Sequence, residues 1–509
     1  MTLFSKLRGQ SRNIRYPRCF YSTQMQQNVR PEADKLLQDI ATYVHSKPID
    51  SSLALKTAKL CLLDTLGCGL AALKFDQPRQ IIEPITSTLG KIPGGTRVLG
   101  TKFEMDPVNG AFALGTLIRW LDFNDCWLAA EWGHPSDNLG GILSVADFVN
   151  RAGTSPNGRK WTVRDVLEAM VKAHEIQGVL ALDNSFNSHG LDHVVLVKVA
   201  TASVVSKLLG LTSEQTMECV SQAWVDGQSL RTYRHAPNTG SRKSWAAGDA
   251  CSRAVKLAYL VKQGNVGLIP SVLSAQTWGF YDVLNGGEPF KFTQRDSFES
   301  YVMENVLFKI SFPAEFHAQT AVECSIKAHS ILKQLGKTAA DIKSVRIRTQ
   351  DAAMRIIDKQ GPLYNYADRD HCIQYMSAVP LIHGRLQAND YMDSVAEDPR
   401  IDELRAKMFC VRDEQFTLDY HDPEKRSIAN ALRIELNDGT VLDEIVVEYP
   451  VGHRRRREEG IPLLMSKFEN HLNDHFTAEP ERVQKILELA QSEKLLDTTA
   501  DEFVDLFWN

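Results

Sequence analysis

The chain has 509 residues, 43% of them hydrophobic and 24% charged, with a formal net charge of −5; that length supports two or more domains, and that composition speaks against a disordered chain or a coiled coil. The negative balance weighs against a protein built mainly to hold nucleic acid, and no uncharged apolar run approaches the roughly 20 residues that a membrane-spanning helix needs. The nine cysteines are scattered without a Cys-x-x-Cys pair, which weighs against a zinc knuckle or a ferredoxin-type iron–sulfur cluster and fits a reducing compartment.

The first thirty residues carry Lys6, Arg8, Arg12, Arg15, Arg18 and Arg30, and the first acid is Glu32. Arginine-rich, acid-free and short of a secretory apolar core, residues 1–25 read as a mitochondrial transit peptide. Amphipathic patterns predict helices over 32–46 and 52–74. A buried helix is expected from Val108 to Trp120; if it continues, Asp122 and Cys126, four apart, share a face. His134-Pro135-Ser136 then interrupts it. Ser136 or Asp137 is placed to cap a helix through Phe148, and a helix N-terminus there suits an anion. Further helices are predicted over 162–177, 194–209, 213–225 and 246–261, so residues 32–285 read as a helical domain. The pattern then changes: 344–349 alternates as a strand, and 431–449 reads as a hairpin turning at Asn437-Asp438-Gly439. With helical segments near 317–335 and 398–408, residues 290–455 form a smaller α+β domain. The helices of 460–509 are expected to pack back on the first domain. The fold class is mainly α with a smaller α+β domain.

Residues 119–147 gather Asp122, Asp125, Cys126, Glu131, His134 and Asp137 among three tryptophans. Ionisable groups beside large apolar side chains are costly unless paired, and such places tend to hold shifted pKa values. A second concentration holds Arg231, Tyr233, Arg234, His235, Arg242 and Lys243, a composition suited to a small molecule with several carboxylates. Its Gly240-Ser-Arg-Lys-Ser string lacks the spacing of a nucleotide-phosphate loop. Lys309, Glu315 and His317 flank Pro313, and Asp368, Arg369, Asp370, His371 and Tyr375 form a fourth group. The basic run His453 to Arg457 has no interleaved aromatics and meets Glu458 and Glu459, so a solvated turn or an anion contact is expected there before an RNA site. Together these groups describe a polar site lined by acids, histidines and cations, with no metal or nucleotide motif.

Three strings carry a resemblance: Asp122-Phe-Asn-Asp-Cys-Trp with Glu-Trp-Gly-His134-Pro-Ser-Asp-Asn, Tyr-Arg-His-Ala-Pro-Asn-Thr-Gly-Ser-Arg-Lys243-Ser-Trp, and Lys309-Ile-Ser-Phe-Pro-Ala-Glu-Phe-His317. The sequence resembles the MmgE/PrpD family over nearly everything after the transit segment, and within it the dehydratase branch in its fungal mitochondrial form. The resemblance implies a homodimer with a large helical domain, an inserted α+β lid and the site between them. It implies dehydration of 2-methylcitrate to 2-methyl-cis-aconitate, a step of propionate breakdown by the methylcitrate cycle, without an iron–sulfur cluster, in the mitochondrial matrix. Minor activity on citrate or cis-aconitate is compatible with it.

Carried over position by position, the resemblance puts Asp122 and His134 forward as the acid–base pair, with Lys243, Tyr375, Lys309 and His317 as further catalytic candidates. Arg231, Arg234 and Arg242 would hold the three carboxylates, with Cys126 and His193 also contacting substrate. Two departures touch this assignment. Cys126 stands where threonine is common, and Leu191-Asp-His193-Val replaces the usual His-Pro motif before the 194–209 helix. The alternatives are a cis-aconitate decarboxylase of the same family and, in a different class, a non-catalytic anion- or RNA-binding protein using the 453–457 arginines.

Overall fold

The computed structural model describes residues 28–225 and 228–509. The transit segment expected over 1–25 lies outside the described residues. The larger body is helical: α1 (Lys35–Ser46), α2 (Ser52–Ala72), α3 (Pro107–Arg119), α4 (Leu139–Arg151), α5 (Val163–Asp183), α6 (Val194–Leu208), α7 (Ser213–Val225) and α8 (Arg242–Gln263). Caps mark several starts: the Ser51 side chain accepts from Ala54 N, and Asp106 accepts from Val108 and Asn109 N ahead of Pro107, satisfying donors that a helix N-terminus leaves over. α6 is apolar all round and buried almost throughout, as befits a helix at the centre of a bundle.

Residues 314–447 have a hydrophobic core of their own. It lies between α9 (Gln319–Gln334), α10 (Ile373–His383) and a sheet of β1 (Ile342–Thr349), β2 (Met408–Arg412), β3 (Asn430–Leu436) and β4 (Ile445–Val447). The strand order is β2-β1-β3-β4, with β1 and β2 parallel and the other pairs antiparallel. The C-terminal helices α11 (Arg457–His475) and α12 (Pro480–Gln491) return to the first body; Leu464, Phe468, Leu472, Val483 and Phe507 join its core. Among the described residues no helix is long and apolar enough to cross a membrane.

Two local expectations are corrected. α3 ends at Arg119, so Asp122 and Cys126 lie on no shared helix face; Asp122 sits at φ +49°, a left-handed conformation that Asp tolerates better than most residues. The chain then forms a two-stranded pair, Trp127–Leu128 against Trp132–Gly133. Neither Ser136 nor Asp137 caps α4, whose N-cap position is Asn138; their side chains bond to Asp125 and Asn124 instead.

The basic run knits the two bodies together. Arg454 donates to Asn305 and to the carbonyls of Pro423 and Glu424, Arg456 pairs with Glu323 and Glu459, and Arg457 donates to Val306 O. Those guanidinium groups are committed to internal partners.

Candidate active site

Small residues bring the site's helices close. A Cβ on Gly115 of α3 would stand 2.7 Å from the Gly248 Cα of α8, and one on Gly140 of α4 would stand 2.7 Å from Gly115 N. This three-way contact sets Arg119, at the end of α3, near Lys243, in the first turn of α8. The segment carrying Lys309 is tied to the central loop by paired backbone bonds, Cys126 N to Leu307 O at 2.7 Å and Leu307 N to Cys126 O at 3.0 Å. From α11, Lys467 donates to Phe123 O (2.8 Å) and Lys309 O (2.7 Å) and pairs with Asp64 at 2.8 Å.

Asp122 is the hub. Its buried carboxylate accepts from Arg119 at 2.6 Å and from Lys309, with Lys243 Nζ at 3.7 Å and the Nε2 atoms of His134 and His371 at 3.8 and 3.9 Å. Burial alone would raise this carboxyl, but the Arg119, Lys309 and Lys243 charges outweigh it and hold Asp122 well below the usual carboxylate range. Lys243 is bound to Asp370 at 2.6 and 2.7 Å, and His371 Nδ1 lies 2.9 Å from the same carboxylate. Burial lowers the Lys243 pKa, with Asp370 and Asp122 acting against it.

The histidines divide by what holds them. His134 Nδ1 is 2.7 Å from Asp125 O, which can only accept, so Nδ1 carries the proton and Nε2 accepts from Arg119 at 2.9 Å. Burial, reinforced by Arg119, pushes His134 well down, so it is neutral. His193 Nδ1 lies 3.4 Å from Asp192, itself gripped by Arg234, and its Nε2 is buried with no hydrogen-bond partner among the described residues. Burial also holds His193 well below its ordinary value against the pull of Asp192. Behind the loop, Asp125 accepts from Ser136 N and Oγ and faces His174 Nε2 at 2.9 Å, while His174 Nδ1 donates to Met170 O.

These groups surround a small cavity of about 40 Å³, where charged and apolar side chains converge. Of the residues expected from the sequence, Asp122, Cys126, His134, His193, Arg231, Arg234 and Lys309 line it. Lys243 stands just behind Asp122, and His317 behind Glu315, to which its Nδ1 bonds at 2.8 Å. Two are not brought in. Arg242 donates to Asp249 and lies over the Trp245 ring at 4.3 Å, because neighbours on a helix diverge by about 100° and Lys243 takes the inward direction. Tyr375 donates to Asp390 O at 2.6 Å within the core of the smaller body.

Glu315 and His371, members of the polar groups named from the sequence but given no role there, also line the cavity, as does Arg119, which the sequence reading did not name. Arg119 carried a signal: one arginine closing an apolar helix, three residues before an aspartate. Glu131 also matters; burial outweighs Arg231 and its bonds to Asn187 and pushes it up to about 7. Ligand atoms of Asp122, Asp370 and His371 come close enough for a metal ion, but Arg119, Lys309 and Lys243 already outnumber the two carboxylates, which disfavours a further cation.

The MmgE/PrpD N-terminal domain model matches residues 38–293, and the MmgE/PrpD C-terminal domain model matches 312–493. The chain is 69% identical over 487 residues to the probable 2-methylcitrate dehydratase of Saccharomyces cerevisiae, covering 95% of this chain and 94% of that protein. It is 63% identical over 489 residues to the mitochondrial 2-methylcitrate dehydratase of Yarrowia lipolytica, covering 96% and 92%. It is 57% identical over 481 residues to the 2-methylcitrate dehydratase of Escherichia coli K12, covering 94% and 98%. With both of its halves matched and its relatives covered nearly end to end, the chain belongs to the MmgE/PrpD family.

Proposed function

We propose that the protein is a hydro-lyase that converts 2-methylcitrate to 2-methyl-cis-aconitate in propionate breakdown by the methylcitrate cycle. Near full-length likeness to dehydratases of fungi and bacteria supports the reaction. The observation that carries it at the residue level is a cavity where an uncommitted imidazole nitrogen, His193 Nε2, meets Arg119, Arg231, Arg234 and Lys309. A tricarboxylate brings three negative charges, and Arg231, whose Nη1 makes no hydrogen bond among the described residues and stands 3.8 Å from Glu131 and 3.9 Å from Asp192, is placed to meet one of them.

The proton to be removed lies beside a carboxylate and is weakly acidic, so it needs a positioned base and cations where negative charge develops. Asp122, held ionised by two direct cationic contacts, is a weak base, and His134 Nε2 is taken up by Arg119. We assign the base and acid roles to their neighbours. His193 Nε2 takes the proton, the carbon–carbon double bond forms, and hydroxide leaves with a proton from the Lys309 ammonium. Asp122, His134 and Lys243 hold those groups in place. This chemistry supplies its acid and its counter-charge from side chains, which supports dehydration without an iron–sulfur cluster. The name of the Yarrowia relative and the acid-free basic leader support a mitochondrial location, and we assign it to the matrix as a homodimer. Internal pairing of the 454–457 arginines supports no nucleic-acid partner.

The test is absorbance of the new conjugated double bond with 2-methylcitrate, citrate and cis-aconitate in parallel, with and without chelator. Turnover of 2-methylcitrate that survives chelation supports the reading. Carbon dioxide release from cis-aconitate with 2-methylcitrate untouched would overturn it.

A further inference from the structure

We propose that the apolar side of this cavity, formed by Cys126, Leu128, Phe316 and Ile356, seats the methyl group of the substrate and thereby sets the preference for 2-methylcitrate over citrate. The inference rests on the dehydratase reading above. The cavity has two unlike sides. Arg119, Arg231, Arg234, Lys309 and the histidines make up the polar one, and Cys126, Leu128, Trp132, Phe316 and Ile356 the apolar one; they meet where Arg231 lies over the Trp132 ring at 5.4 Å.

That second side belongs to a small apolar cluster distinct from the two domain cores, built from both bodies: Cys126, Leu128 and Leu307 from one, Phe316, Ala352, Tyr420 and Ile428 from the other. Trp132 and Ile356 pack against it while keeping part of their surface uncovered. This side offers a substrate no free hydrogen bond. The Trp132 indole N–H is given to the Tyr420 hydroxyl at 2.9 Å, and burial holds the Cys126 thiol protonated, so it behaves as a small apolar group.

Citrate has three carboxylates and a hydroxyl, and nothing in it gains from such a wall. 2-Methylcitrate differs by one methyl, attached to the carbon that loses its proton. With that methyl against Leu128 and Ile356, its carbon, and not the opposite methylene, is held toward the base. An added methyl in an apolar pocket discriminates by roughly 10- to 200-fold.

The experiment uses the full chain and two variants, Ile356→Ala and Leu128→Ala, from opposite bodies. Both substrates are assayed on one preparation, so any unfolded fraction cancels from the ratio of their kcat/KM values. The expected result is a fall of about tenfold in the 2-methylcitrate-to-citrate ratio in each variant, with NMR of the products showing some proton loss from the methylene. A ratio within twofold of wild type in both variants, and a single product, would overturn the inference while leaving the dehydratase reading intact. No dehydration of 2-methylcitrate by the wild-type chain would instead overturn that reading and the inference with it.

Discussion

Asp122→Asn removes one charge and nearly nothing else. Asparagine is among the few residues at ease at φ +49°, and it fills the same space. The carboxylate answers Arg119 at 2.6 Å and Lys309 directly, and Lys243 at 3.7 Å. Lys243 retains Asp370, whereas Arg119 and Lys309 lose their only carboxylate within ion-pair distance among the described residues. Leaving buried charge uncompensated costs about 3–5 kcal/mol. For an unfolding entropy of about 2.1 cal/mol/K per residue over 509 residues, that lowers the melting midpoint by about 3–5 °C. Because Lys309 and Arg119 are then free to shift by an ångström, turnover is expected to fall by at least about 100-fold. Calorimetry and the double-bond absorbance assay read the two effects on one preparation. A variant that melts within 1 °C of wild type and keeps more than about a tenth of its activity would refute the hub role of Asp122.

Other outcomes follow from the same contacts. His193→Gln is expected to lower kcat by about 100- to 10,000-fold with little change in KM, because it removes the base and leaves the cations; steady-state kinetics check the split. Lys467→Met leaves Asp64 buried without its partner and frees the Phe123 and Lys309 carbonyls, costing about 3–5 kcal/mol in denaturant unfolding. His453 is pushed down to about 3, chiefly by burial, with the neighbouring arginines adding to it. The unfolded chain therefore binds its proton between pH 6.5 and about 3, and this contribution to stability is present above 6.5 and lost as pH falls. His453→Asn keeps an acceptor for the Arg455 N–H, and should lose about 2–3 kcal/mol less than wild type between pH 6.5 and 4.5, measured as denaturation midpoints.

The helices of the first body were legible because each binds an apolar face to a capped start, as with Ser51 ahead of Ser52–Ala72. The hairpin showed through its Asn-Asp-Gly turn. Strand Met408–Arg412 was missed because its exposed edge positions, Phe409 and Val411, are apolar like the buried Met408, so no apolar–polar alternation is left to read. The end of Pro107–Arg119 was misjudged because Trp120 and Leu121 continue its apolar run; the left-handed Asp122 that breaks it is fixed by Lys309, nearly 190 residues away. Asp370 and His371 are held at the site by long-range contacts, Lys243 to Asp370 and Glu315 N to Asp370 O, that no local spacing encodes. Tyr375 shows the converse. A local string placed it by resemblance, whereas its hydroxyl is satisfied inside its own domain.

The central claim is the dehydration itself, and proton NMR of 2-methylcitrate incubated with the purified protein tests it most directly. The account predicts loss of the methine signal, appearance of 2-methyl-cis-aconitate, and no carbon dioxide. Unchanged 2-methylcitrate at saturating concentration, with folded protein, would contradict it.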